Sequence, residues 1–93
     1  MDDKMYGKVV KTGLSFGEAM HEVIVNGNSV ARENWGGFWY NEVPTNPDMD
    51  LFTQPVLVAV LKDGKNVVPA TPYNEDIQAI DWMIVGRIRF PEI

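Results

Sequence analysis

Apolar residues recur at Phe16, Ala19, Met20, Val23 and Ile24, the i, i+3, i+4, i+7, i+8 series that lines one face of a helix. Ser15 and Glu18 stand at capping-box spacing: the hydroxyl takes the third amide of the helix, and the carboxylate reaches back to the cap. Gly27 follows where a left-handed residue closes a helix. Together they predict an amphipathic helix over Ser15 to Asn26. The period then changes to two. Ser29 to Glu33 and Phe38 to Val43 read as strands, joined through Trp35-Gly36-Gly37 as a hairpin. Alternation places Phe38 and Tyr40 on one face and Trp39 and Val43 on the other, so both faces are aromatic or apolar.

Val56 to Leu61 is apolar at every position, as expected of a strand covered on both sides. Lys62-Asp63-Gly64-Lys65 follows, and Asp-Gly predicts a type I′ turn with positive φ at both central residues. Asn66 to Ala70 returns as the partner strand, with Pro69 ending the pairing or marking an edge. Thr71-Pro72-Tyr73 leads into a second, short helix. Asn74 is its expected N-cap, and Glu75 and Asp76 sit in its first turn, where acids suit the helix dipole. Ile77 and Ile80 are expected to face inward, with the helix ending near Asp81-Trp82. Met83 to Phe90 reads as a final strand, with Ile84, Ile88 and Phe90 on one face and Arg87 and Arg89 on the other.

Two segments carry weaker patterns. Residues 1–13 are mixed and polar, with Lys8 to Lys11 a short edge strand protected by its lysines. Residues 44–55 hold three prolines and two aspartates and read as a loop, which Leu51 and Phe52 tie down. The predicted fold class is α+β: a mainly antiparallel sheet with one N-terminal amphipathic helix and one short second helix. The chain is long enough for one domain, 1–93, with 1–13 as an N-terminal extension.

Composition narrows the function classes. Net charge is −5, which argues against a DNA or RNA binder, since such proteins need a basic face. Without cysteine the chain makes no disulfide and no thiolate metal site. Its first residues hold two acids and no apolar run of signal-peptide type. The longest apolar run, Val56 to Leu61, is far too short to span a membrane. His21 is the one histidine and has no carboxylate at a telling spacing, so it reads as a helix surface residue. No nucleophile elbow, phosphate-loop or paired-histidine motif is present. No catalytic residue, metal or cofactor is therefore expected.

The aromatics say more. Two strands that are apolar on both sides ask for cover from a subunit or a ligand. Polar residues stand beside the indoles: Arg32 and Asn34 near Trp35 and Trp39, and Asn74, Asp76 and Asp81 before Trp82. Each has a plain use as a cap, a surface group or a core residue. As a set they meet the needs of a nucleotide: a base stacks on an indole, an arginine meets phosphate, and carboxamides or carboxylates take ribose hydroxyls. Those eight residues are the candidate ligand site.

Three pieces in order resemble a known family. They are LSFGEAMHEVIVNGNSVARENW, with Phe16, Glu18, Ala19, Gly27, Val30, Ala31, Arg32 and Trp35; the hairpin with Asp63, Gly64, Lys65, Val68 and Pro69; and the closing Asp76, Ala79, Asp81 and Trp82. Over about residues 14–86 the chain is similar to the Thoeris anti-defence proteins of the second type. The resemblance implies a non-enzymatic phage protein of the host cytoplasm. It would sequester a cyclic ADP-ribose isomer, glyco-cyclic ADP-ribose, that a TIR-domain enzyme makes as an immune signal. It also implies a homotetramer with pockets at subunit interfaces, and, in some members, a separate site for cyclic oligonucleotides. The chain departs from the pattern at Ala70-Thr71-Pro72-Tyr73, where many relatives have an aromatic just after the hairpin proline. In this reading Phe38 and Tyr40 pack on the helix, Trp39 turns to a partner subunit, and Trp35, with Arg32 behind it, walls the pocket. The competing readings are a protein-binding inhibitor of a host factor, using the same apolar face, and a small nucleotide hydrolase.

Overall fold

A computed structural model of the chain describes residues 6–43 and 54–87. Its elements are β1 (Tyr6–Leu14), α1 (Phe16–Ile24), β2 (Ser29–Arg32), β3 (Phe38–Glu42), β4 (Val56–Val60), β5 (Val67–Pro69), α2 (Asn74–Gln78) and β6 (Trp82–Arg87). The six strands form one sheet in the order β1-β6-β2-β3-β4-β5, with every neighbouring pair antiparallel. The fold is α+β. β6 closes the described chain yet lies inside the sheet, between β1 and β2. Its composition suits that place, since Trp82, Met83, Ile84 and Val85 are all buried. The edges suit theirs. β1 exposes every residue between Tyr6 and Leu14 and pairs with three register shifts, and β5 carries Pro69 on the other rim. A bulged, lysine-bearing edge resists pairing with another chain.

The first helix starts where its capping box requires. The Glu18 amide donates to Ser15 Oγ at 3.1 Å, and the Ser15 amide donates to Glu18 Oε1 at 2.9 Å. Gly27 takes φ 72° just beyond the helix end. Ala19 and Val23 are fully buried, Phe16 and Met20 pack against the same core, and Ile24 is 59% exposed. The inner stripe is thus narrower than the spacing predicts, and the helix is the second element, after β1.

The faces of the central hairpin are the reverse of the sequence expectation. Trp39 lies on the helix side, in a core with Leu14, Ala19, Val23, Val30, Ala59, Trp82 and Ile84. Phe38 lies on the other side, with Tyr6, Ala31, Val60, Met83 and Val85, and Tyr40 packs there too. Register explains this. Val30 pairs with Trp39 across the hairpin and with Ile84 across β6, so the face on which α1 packs must carry all three. Phe38 is 4% exposed within the single chain. Its burial therefore calls for no second subunit.

Two further expectations change. The reversal after β4 is not a type I′ turn, because no described residue other than glycine has positive φ. Gly64, at φ 70°, supplies the left-handed step, its amide donates to the Leu61 carbonyl, and the Leu61 amide donates to the Asn66 carbonyl. Asp63 braces this longer loop by accepting from the amides of Lys65 (2.8 Å) and Asn66 (3.0 Å). The second helix ends at Gln78, so Trp82 belongs to β6. Tyr73 is its N-cap, and Asn74 is its first residue. Ile77 and Ile80 are 48% and 77% exposed, whereas Asp76 is buried. This helix is too short to be held by an apolar stripe; a polar anchor holds it. The expected faces of Arg87 to Phe90, and Leu51 and Phe52, lie outside the described side chains.

Candidate functional site

Arg32 ends β2 directly opposite Trp82, the first residue of β6. That pairing aims its side chain at the segment between α2 and β6. Arg32 Nε donates to Asp81 Oδ1 at 2.9 Å, Nη2 to Asp81 Oδ2 at 3.4 Å, and Nη1 to Asp76 Oδ1 at 3.0 Å. The planar guanidinium spans both carboxylates, which a lysine does not do. The hydrogen bonds from Asp81, then those from Asp76, raise the Arg32 pKa above its ordinary value.

Asp76 is the hub of this corner. Its Oδ2 accepts the Tyr73 amide at 2.8 Å, and its backbone carbonyl accepts Trp82 Nε1 at 2.9 Å. It is 4% exposed, and each of its oxygens has a partner, as a buried carboxylate requires. The Trp82 ring is fully buried and meets three other rings: Trp35 at 5.1 Å edge-on, Trp39 at 5.3 Å and Phe16 at 5.7 Å between centroids. Trp35 and Trp39 lie 5.1 Å apart. Tilted and edge-on pairs at these separations add to the burial energy of the rings.

Beside this corner opens a cleft of about 690 Å³. Its walls are the 34–39 segment, the β4–β5 hairpin and residues 71–76. Trp35 joins cleft and core: it is half-buried, packs on both sides of the sheet and lines the opening. The Trp35 amide donates to the Arg32 carbonyl at 3.0 Å, and Tyr6 Oη donates to the Trp35 carbonyl at 3.2 Å. Gly37 sits so close to β4 that a Cβ there would stand 2.1 Å from the Val60 carbonyl oxygen. The glycine is required by this backbone approach.

The eight candidate residues divide. Asn34, Trp35, Trp39 and Asp76 line the cleft. Arg32, Asp81 and Trp82 lie behind it, engaged with one another or with Asp76. Asn74 is exposed on α2, where its Oδ1 accepts Gln78 Nε2 at 3.3 Å. The cleft also presents Lys62, Thr71, Tyr73 and Glu75, which the sequence offered only as turn and helix-start residues. Tyr73 is the one that its chemistry marks, being an aromatic left 68% exposed. Among the described residues no cluster of His, Asp and Glu is arranged to hold a metal ion. No helix there is long and apolar enough to cross a membrane.

The profile of one protein family, described as the Thoeris anti-defense 2-like domain, matches residues 14–85. The match runs from the last residue of β1 through most of β6, and so takes in the whole corner and the cleft. No curated protein matches the chain.

Proposed function

The chain belongs to the Thoeris anti-defense 2-like family, and from that membership we propose that it is a sponge for the nucleotide signal of Thoeris immunity. It binds the cyclic ADP-ribose isomer made by a TIR-domain enzyme, glyco-cyclic ADP-ribose, and holds it intact, so that the effector is not activated. It works in the cytoplasm of the infected cell as a homotetramer. Family membership is the observation that carries this reading. The cleft supports it, because its volume falls within the roughly 300–1,000 Å³ usual for small-molecule sites. Trp35 offers a half-buried indole face for a base, and Asn34 offers a carboxamide for a ribose hydroxyl or a base edge. In this reading Arg32, Asp81 and Trp82 shape the wall and do not touch the ligand. The ordering cost of binding is small when that wall is already fixed.

The test is to incubate the pure protein with the product of a Thoeris TIR enzyme, remove unbound small molecules, denature, and identify what is released by mass spectrometry. Unmodified cyclic ADP-ribose isomer is the expected result. A cleaved product would make the protein a hydrolase. An empty protein would remove the sponge.

One observation favours a second reading. Tyr73, Ile77 and Ile80 expose apolar surface on and beside α2, as a surface for a host protein would. An empty protein that retains one stoichiometric host partner would decide for that inhibitor.

A further inference from the structure

Two cations belong to this region, and their states differ. The ion pairs among the described residues are both made by Arg32. Lys62 is exposed and is the one cation among the described residues lining the cleft. Its neighbour Asp63 is occupied by the Lys65 and Asn66 amides and by the Asn66 side chain, so that carboxylate is already committed within the turn. The lysine stem lies across Gly36: a Cβ there would come within 2.7 Å of Lys62 Cγ, 3.0 Å of Cδ and 3.3 Å of Cβ. Gly36 therefore leaves the space that the stem fills, and Trp35 lines the same cleft. A flexible stem laid on a surface with its ammonium free is how lysine serves as a mobile point charge for phosphate.

We infer that Lys62 is the anion-binding residue of the cleft: its ammonium takes the phosphate-bearing side of a nucleotide whose base lies on Trp35, and Gly36 is glycine to keep the lysine stem in place. The inference takes its ligand class from the sequestration reading. It assigns to Lys62 the charge that sequence pattern alone would give to Arg32, whose fork is filled by Asp76 and Asp81.

The experiment titrates wild type, Lys62→Ala, Lys62→Arg and Gly36→Ala with ADP-ribose, with adenosine as the uncharged probe, and with the TIR product, by calorimetry at low and high salt. Loss of a charge-assisted hydrogen bond predicts about tenfold weaker binding of ADP-ribose by Lys62→Ala, or more. Adenosine binding is expected to stay within about twofold. Lys62→Arg keeps the charge and is expected within about threefold of wild type. Gly36→Ala, with the charge retained but the stem displaced, falls between. The salt dependence of ADP-ribose binding shrinks in Lys62→Ala, because the screened charge is gone. Equal affinity of wild type and Lys62→Ala for ADP-ribose and for the TIR product would overturn the inference and leave the sponge standing. Binding of ADP-ribose that depends on Lys62, with the TIR product left free, would support the inference and remove the sponge. A wild type that takes no phosphorylated probe would overturn both.

Discussion

The corner around Asp76 and the cleft beside it share a wall, yet they are built to opposite specifications. In the corner every strong group is committed: three guanidinium nitrogens of Arg32 hold two carboxylates, Asp76 uses both side-chain oxygens and its carbonyl, and Trp82 is sealed among three rings. In the cleft the polar groups stand open: Lys62, Tyr73 and Glu75 are exposed, and Trp35 is half-buried. Half of the candidate ligand residues, Arg32, Asp76, Asp81 and Trp82, fell in the corner. Motif spacing records which groups must be placed together, and a scaffold needs that placement as much as a binding site does. What is left unpaired beside the scaffold is better evidence of where a ligand can bind.

The comparison breaks first at Trp82. Trp82→Ala removes the centre of the aromatic cluster and the anchor of the Asp76 carbonyl, a loss of about 3–5 kcal/mol. A domain of this size has about 5–10 kcal/mol in all. The cooperative thermal transition is expected to disappear or to fall steeply. A melt within a few degrees of wild type would mean that the corner is not the scaffold.

Arg32→Ala comes next. It leaves the buried Asp76 carboxylate with a single amide donor, at a cost of about 3 kcal/mol for a broken, largely buried pair. Arg32→Lys is expected to recover only part of this in urea unfolding, since an ammonium does not bridge both carboxylates. Full recovery by lysine would show that charge alone matters there.

A smaller effect sharpens the contrast from outside both regions. The Ser15 amide, and after it the Ser15 hydroxyl, hold the Glu18 carboxyl below the usual carboxylate range. A depressed pKa contributes stability that is present above the unfolded value and is lost as pH falls through the folded one. Glu18→Gln is therefore expected to flatten the stability curve on the acid side of the ordinary carboxylate range and to leave ligand binding alone. Acid sensitivity unchanged in Glu18→Gln would remove the capping box as a titrating contact. Ser15→Ala, which removes the cap hydroxyl, is expected to cost about 1 kcal/mol.

Much of the fold was legible in the chain because local rules agreed with tertiary ones. Ser15, Glu18 and Gly27 punctuate α1 where the pattern placed them, and β2 to β5 fall within a residue of their expected bounds, whereas β1 runs past Lys8–Lys11 at both ends. The misread parts depend on information that a single segment does not carry. Which face of β3 meets α1 follows from pairing Val30 with both Trp39 and Ile84, a relation among three strands. Ile77 and Ile80 look like an inner stripe, but α2 is held through Asp76 by an arginine far away in sequence. The candidate site was legible as a neighbourhood, through Trp35 and Asn34, and not as a division of labour. Lys62 was hidden because a lysine beside Asp-Gly has an ordinary use in a turn, and only Gly36, packed beneath its stem, distinguishes it.

The most direct test of scaffold against ligand contact is Asp81→Asn, measured for unfolding free energy in urea and for affinity toward the TIR product on the same preparation. Asp81 was a candidate for a ribose hydroxyl, and the substitution leaves the Arg32–Asp76 pair that holds α2. The expected result is a loss of about 1 kcal/mol in stability, as for a half-exposed charge-assisted contact, with affinity unchanged within about twofold. Stability equal to wild type together with affinity lost tenfold or more, about 1.4 kcal/mol, would contradict it and return the corner to the ligand.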